Sequence, residues 1–202
     1  RIDDLRSEGN NWRGYLPEAK APAALLDRLR TRFREADDEL ASRELLVQYK
    51  EAFPNDVAGL RANVNHCWEQ EDHAGVVALL TPWPPPQLAE SYYQYELRQR
   101  LLVLLLREAK QDEALKLVET GEITNSQEQL YVAFAGRDVA TASKLLAEKQ
   151  GPHFSLPLEN DWARVPAISE FLTSDDFKQL AEESPPHLSH VPTKGRSLLF
   201  FE

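Results

Sequence analysis

Methionine is absent from the 202 residues, cysteine occurs once and glycine only eight times. The lone Cys67 excludes an internal disulfide and any zinc site built from cysteines. It is compatible with a reducing compartment, and a cytoplasmic location is the expectation. Scarce glycine, together with abundant Leu, Ala, Glu, Arg and Gln, describes a chain that loses little on entering helices. No alternating run of β-branched residues closes on Asn-Gly or Asp-Gly, so the hairpin pattern is missing. The most apolar run, Leu101–Leu106, is six residues long and bracketed by Arg98, Arg100 and Arg107. A bilayer-spanning helix needs about 20 such residues, so no membrane insertion is expected. No P-loop, GxGxxG or GxSxG motif occurs. The first eleven residues are polar and charged, unlike a secretory leader. The missing initiator methionine fits a mature fragment or a piece of a longer chain.

The formal net charge is −10, unevenly placed. Residues 1–54 carry 10 basic and 11 acidic side chains, and residues 55–202 carry 13 and 22. So acidic a second part repels phosphate backbones and anionic headgroups, which argues against nucleic acid as a partner. Arg28, Arg30, Arg32 and Arg34 cluster in the first part. With Glu35, Asp37, Asp38 and Glu39 close behind, the cluster reads as a solvated face rather than an anion-binding patch.

Three regions follow from composition. Residues 1–21 form an irregular lead-in that Trp12, Tyr15 and Leu16 pin to the first helices. Residues 22–150 show helical periodicity: Leu25, Leu26, Leu29 and Phe33, then Leu40, Leu45, Leu46 and Tyr49, then Val57, Leu60, Val64, Cys67 and Trp68. Asn55 or Asp56 caps the third of these helices. Ala74, Val77 and Leu80 make a short return helix that stops at the stiff connector Pro82–Pro86. A long helix from about Gln87 to Arg107 carries the leucine run, which must be covered on more than one side. Ala114, Leu115, Leu117 and Val118 lie on its partner, ended by Gly121. Leu130, Tyr131 and Phe134 follow on a helix capped by Thr124, Asn125 or Ser126, and Ala142, Leu145 and Leu146 on its return. Residues 151–202 are proline-rich, with short helices near 165–172 and 174–181. The apolar end, Ser197–Phe201, is expected to dock on a groove or a neighbouring chain.

The helices come in pairs, with a small residue early in each second member. Ala41, Ala74, Ala114 and Ala142 recur at intervals of 33, 40 and 28 residues, near the 34 of a tetratricopeptide array. The stretch Asn55–Leu80, preceded by Phe53-Pro54, resembles a tetratricopeptide repeat (TPR). Leu101–Arg107 with Gln111–Leu115 resembles a second, and Gln127–Leu146 a third. Trp162-Ala163-Arg164 and Phe171–Leu180 resemble the tail that closes many bacterial arrays. From about residue 37 to residue 181 the chain is thus similar to the TPR family or a degenerate relative. It departs from the pattern in spacing, in missing aromatics, and in having the tight-turn glycine only as Gly136.

The resemblance implies an all-α fold, a right-handed α-solenoid of antiparallel helix pairs whose first helices line a concave groove. Such a groove binds a peptide or helix of a protein partner without covalent chemistry, cofactor or metal. Projecting the matching segments places Asn63 and His66, then Gln99 and Arg107, then Gln127 and Tyr131, on the groove. The Lys and Asn set that clamps a terminal carboxylate in some members is not reproduced, because Gly59 stands where a basic residue would be needed.

His66, Glu69 and His73 share a helical spacing that suits a metal, but no fourth ligand is evident and Glu69 to Asp72 reads as a turn. A non-enzymatic docking module is the expected function. Two alternatives remain: a helical enzyme or regulatory subunit with a cleft near His66, and a homo-oligomer joined through the apolar tail.

Overall fold

The computed structural model describes residues 15, 18–88, 93–119, 126–148, 162, 165–183, 190–193 and 196–199. Among them the helices are α1 (Pro22–Glu35), α2 (Glu39–Ala52), α3 (Val57–Glu69), α4 (His73–Leu80), α5 (Gln94–Arg107), α6 (Gln111–Glu119), α7 (Ser126–Ala135), α8 (Val139–Glu148), α9 (Pro166–Leu172) and α10 (Asp175–Glu183). The class is therefore helical, as composition requires. The exception is a short antiparallel hairpin, β1 (His190–Thr193) and β2 (Arg196–Leu199), with Val191 opposite Leu198 and Thr193 opposite Arg196. No strand was expected there. A ladder of four residue pairs is too short to give the long alternation on which a sequence signal depends. The chain separates into two compact units, residues 1–98 and 99–202.

Four times among the described residues, the chain turns from one helix into the next through three residues with the same backbone geometry. At the first turn the Asp37 N–H donates to the Arg34 carbonyl at 3.1 Å and the Asp38 N–H to the Phe33 carbonyl at 2.9 Å. At the second, Glu71 donates to Trp68 and Asp72 to Cys67; at the third, Ala109 to Leu106 and Lys110 to Leu105; at the fourth, Arg137 to Phe134 and Asp138 to Ala133. This pair of bonds is the Schellman termination, which satisfies carbonyls that the ending helix leaves without partners. It demands a left-handed residue at its corner, and Asp37, Glu71, Ala109 and Arg137 have φ of 53, 55, 55 and 54°.

The next residue starts the following helix. Asp38 accepts from the Ala41 N–H, Asp72 from the Gly75 N–H and Asp138 from the Thr141 N–H, at 2.9 to 3.0 Å. Each such cap is worth about 1 kcal/mol. Lys110 takes the same place at the third turn and has no side-chain acceptor to offer.

These corners correct the intervals read from the alanines. Their spacing is 34, 38 and 28 residues, whereas the alanines chosen from sequence do not share one structural position. Counted from the caps, the equivalents are Ser42, Val76, Ala114 and Ala142. Ala74 is exposed and Val76 buried. Gly136 is not the left-handed residue either, since Arg137 is. What Gly136 supplies is room: a Cβ there would lie 2.8 Å from the Gln111 side-chain nitrogen, which donates to the Val132 carbonyl at 2.6 Å.

In the first unit α1 packs on α2 and α3, and α3 packs on α2 and α4. Leu26, Leu29 and Phe33 meet Leu45, Leu46, Tyr49 and Ala62 in the core. The Tyr49 hydroxyl donates to the Asp56 carboxylate, which also caps α3 through the Ala58 N–H at 2.9 Å. Burial, then that hydrogen bond, push the Tyr49 phenol well above its ordinary range. Leu40, expected inward, is 68% exposed. The long helix starts later than expected, at Gln94, because Pro86–Leu88 forms a separate 3-10 turn.

In the second unit all six residues of Leu101–Leu106 are buried, none more than 5% exposed. α7 packs on α6, α8 and α9, and α10 packs on α8 and α9. Phe134, Phe171 and Phe177 meet with ring centroids 5.1 to 5.8 Å apart. Each well-set aromatic pair adds about 0.5–1.5 kcal/mol beyond its burial. Leu115, placed inward by its spacing, is 46% exposed. Trp12, Leu16, Gly121, Phe200 and Phe201 lie outside the described residues, and Tyr15 is exposed.

Candidate functional site

In the first unit a cleft of about 620 Å³ opens where α1, the start of α2 and the end of α3 come together. α1 contributes Asp27, Arg30, Thr31 and Arg34, residues three and four apart that share one side of a helix. The turn adds Asp37 and Asp38, and α2 adds Glu39 and Ser42. From α3 come Asn65, His66, Glu69 and Gln70. Nearly every lining side chain is polar.

Arg30 is the unusual member. Its side chain is only 17% exposed, its Nε is buried with no hydrogen-bond partner, and its ion pair with Glu69 spans 3.7 Å. That separation exceeds hydrogen-bonding distance. Arg34, one turn further on, is exposed and makes no ion pair among the described residues. By contrast Arg32 pairs with Glu35 at 3.3 Å and Arg61 with Glu96 at 3.1 Å. The Arg61 guanidinium also covers the Tyr93 ring, 4.5 Å from its centroid.

The sequence-derived groove residues are distributed as follows. His66 lines the cleft, its side chain 12% exposed, with Nε2 3.2 Å from the Glu39 carboxylate. Asn63 is not beside it. Its amide donates to the Gly59 carbonyl of its own helix at 2.9 Å, and it borders a separate hollow of about 180 Å³ with Pro54 and Leu79.

In the second unit Gln99 is half-buried on α5, and Arg107 is exposed at its end. Gln127 donates to the Tyr131 hydroxyl at 3.0 Å. Tyr131 itself is fully buried, its ring 4.3 Å from that of Trp162. A side chain with no solvent access offers no groove surface, so Tyr131 is corrected from contact residue to core residue. Another hollow, of about 640 Å³, has Leu115, Val118, Val132 and Leu145 on its walls and is more apolar than the cleft of the first unit.

Sequence reasoning missed Arg30, Arg34 and Asn65. The four arginines read as one solvated face, although Arg30 and Arg34, four residues apart, lie on a different side of a helix from Arg28 and Arg32, each two residues before them. Asn65 gave no signal of its own.

No three His, Cys, Asp or Glu side chains among the described residues converge as metal ligands. His66 faces Glu39, while His73 lies beside Trp68, 6.3 Å between ring centroids. Cys67 is half-buried, and burial followed by the Asp72 carboxylate pushes its thiol up, away from the reactive thiolate. No helix among the described residues is long and apolar enough to cross a membrane. Comparison of the chain with protein-family models, curated proteins and solved structures finds no match.

Proposed function

We propose that this chain is a non-enzymatic helical-repeat module, TPR-like in character, that docks a segment of a protein partner. The observation that carries the reading is the cleft between α1 and α3, the first members of two successive helix pairs. A surface built from neighbouring first helices is what a stacked array offers to a ligand. Further support comes from the four Schellman turns, the first two of which lie 34 residues apart, the period of a tetratricopeptide repeat. Within the first unit α1 packs on α2 and on α3, the neighbour pattern of an α-solenoid. The lining favours recognition over chemistry: donors and acceptors are plentiful, and the nearby thiol is held protonated.

Affinity capture with the full chain tests this. Charge reversal of Arg34 with Asn65→Ala should release the captured partner, while Glu51→Lys on the exposed side of α2 should not. Retention of every partner by the cleft variant would overturn the reading.

A further inference from the structure

The cleft is chemically incomplete at Arg30. Arginine stays charged at every relevant pH, so burial cannot be relieved by losing a proton. A guanidinium this withdrawn from water normally finds a carboxylate or several carbonyls in hydrogen-bonding range. Here Glu69 stands 3.7 Å off and is half exposed. Glu39, across the cleft, already receives His66 at 3.2 Å, Arg43 at 3.4 Å and Gln70 at 3.3 Å. Asp38 is occupied in capping α2.

We propose that this cleft binds the carboxylate of a glutamate or aspartate side chain on the docked partner, held by Arg30 and Arg34 and flanked by His66. The inference rests on the docking reading above. Arg30 and Arg34 lie one helical turn apart, close enough for both to address the two oxygens of one carboxylate. The surrounding acids set the charge of the guest. Asp27, Asp37, Asp38, Glu39 and Glu69 all border the same space, so a phosphate dianion is repelled more strongly than a single carboxylate held directly by the guanidinia. For the same reason an isolated acidic residue fits better than an acidic run. The withdrawn Arg30 then has a purpose that costs stability in the free protein: its acceptor arrives with the partner.

The side-chain Nε–Hε signals of the arginines in the full chain report on this directly by NMR. The probes are acetyl-Ala-Glu-Ala-amide, its Gln counterpart and its phosphoserine counterpart, at millimolar concentration. The Glu peptide should shift the Arg30 and Arg34 signals saturably, and the Gln peptide should bind about tenfold more weakly. Arg30→Lys should weaken the Glu peptide about tenfold through loss of the fork. Arg30→Met should abolish binding while leaving the melting temperature equal or higher.

Equal binding of the Glu and Gln peptides, or tighter binding of the phosphoserine peptide, would overturn the carboxylate assignment. So would an Arg30→Met protein that melts several degrees lower yet binds unchanged, because Arg30 would then be a structural partner of Glu69. If the Glu peptide fails while the Arg34 and Asn65 variant still releases its partner, the docking reading stands and only the carboxylate is lost.

Discussion

Ala109→Gly should stabilise the protein, although it deletes a side chain and adds glycine beside a helix. Ala109 is exposed, has φ of 55° and forms the corner of the turn between α5 and α6. The left-handed conformation costs an L-residue about 1–2 kcal/mol. Against that, the extra freedom of glycine in the unfolded chain costs roughly 0.5–1 kcal/mol. The Schellman bonds, Ala109 to Leu106 and Lys110 to Leu105, involve only the backbone and survive. The net expectation is a gain of about 0.5–1 kcal/mol, or about 1–4 °C in melting temperature for a chain of this size.

The same logic ranks the other corners. Glu71→Gly should match Ala109→Gly, and Asp37→Gly should gain less because aspartate tolerates this region better. Arg137→Gly gains least, since the 3.3 Å pair with Glu170 is lost with it, a surface contact worth about 0–1 kcal/mol. Urea unfolding followed by circular dichroism measures each. A lower midpoint for Ala109→Gly, with the slope against urea unchanged, would refute the reasoning.

Other expected outcomes follow from the two cores. Tyr49→Phe removes the hydrogen bond to Asp56 and should cost about 1.5–3 kcal/mol at neutral pH. Because the folded phenol titrates above its unfolded value, its contribution is complete below about pH 10 and is lost as pH rises beyond it. Urea midpoints between pH 7 and 11 should therefore fall less steeply in Tyr49→Phe than in the wild type.

Gly59→Ala places a Cβ 2.8 Å from the Tyr49 ring. Overpacking of about 1–3 kcal/mol then opposes about 1 kcal/mol of helix propensity. A net loss near 1 kcal/mol is expected, reversing to a gain in a Tyr49→Ala background, as a double-mutant cycle would show. Leu104→Ala, at a fully buried position, should cost about 2–5 kcal/mol in thermal or urea unfolding.

Much of the architecture was legible where burial and periodicity agree. Leu101–Leu106 had no polar face and is buried throughout. Asp56 had the chemistry of a cap and is one. The tight turns were not legible, because the corner residues are Asp, Glu, Ala and Arg, and a search for glycine passes over them. Left-handed φ at these positions is imposed by packing of the flanking helices rather than announced by side-chain type.

The candidate site was half legible. His66 lines the cleft, whereas Tyr131 is a core residue because its neighbour Trp162 lies 31 positions away in sequence, beyond any local pattern. Arg30 resembled Arg28, Arg32 and Arg34 in composition, and only the burial of its side chain, which no local pattern announces, sets it apart.

The three-residue turns have a consequence for how this protein tolerates change. Between helices of one pair the connection keeps its length at all four Schellman corners, three residues each, while the described link from the first pair to the second, Phe53 to Asp56, runs to 4. In the first unit the three-residue turns lie beside the charged cleft, and the longer links, with Pro54 and Gln87, lie beside the separate smaller hollow. Extra sequence spliced near Pro84 would grow away from the cleft. A single residue inserted after Ala36 would rotate Asp38 off its cap and shift the mouth of the site.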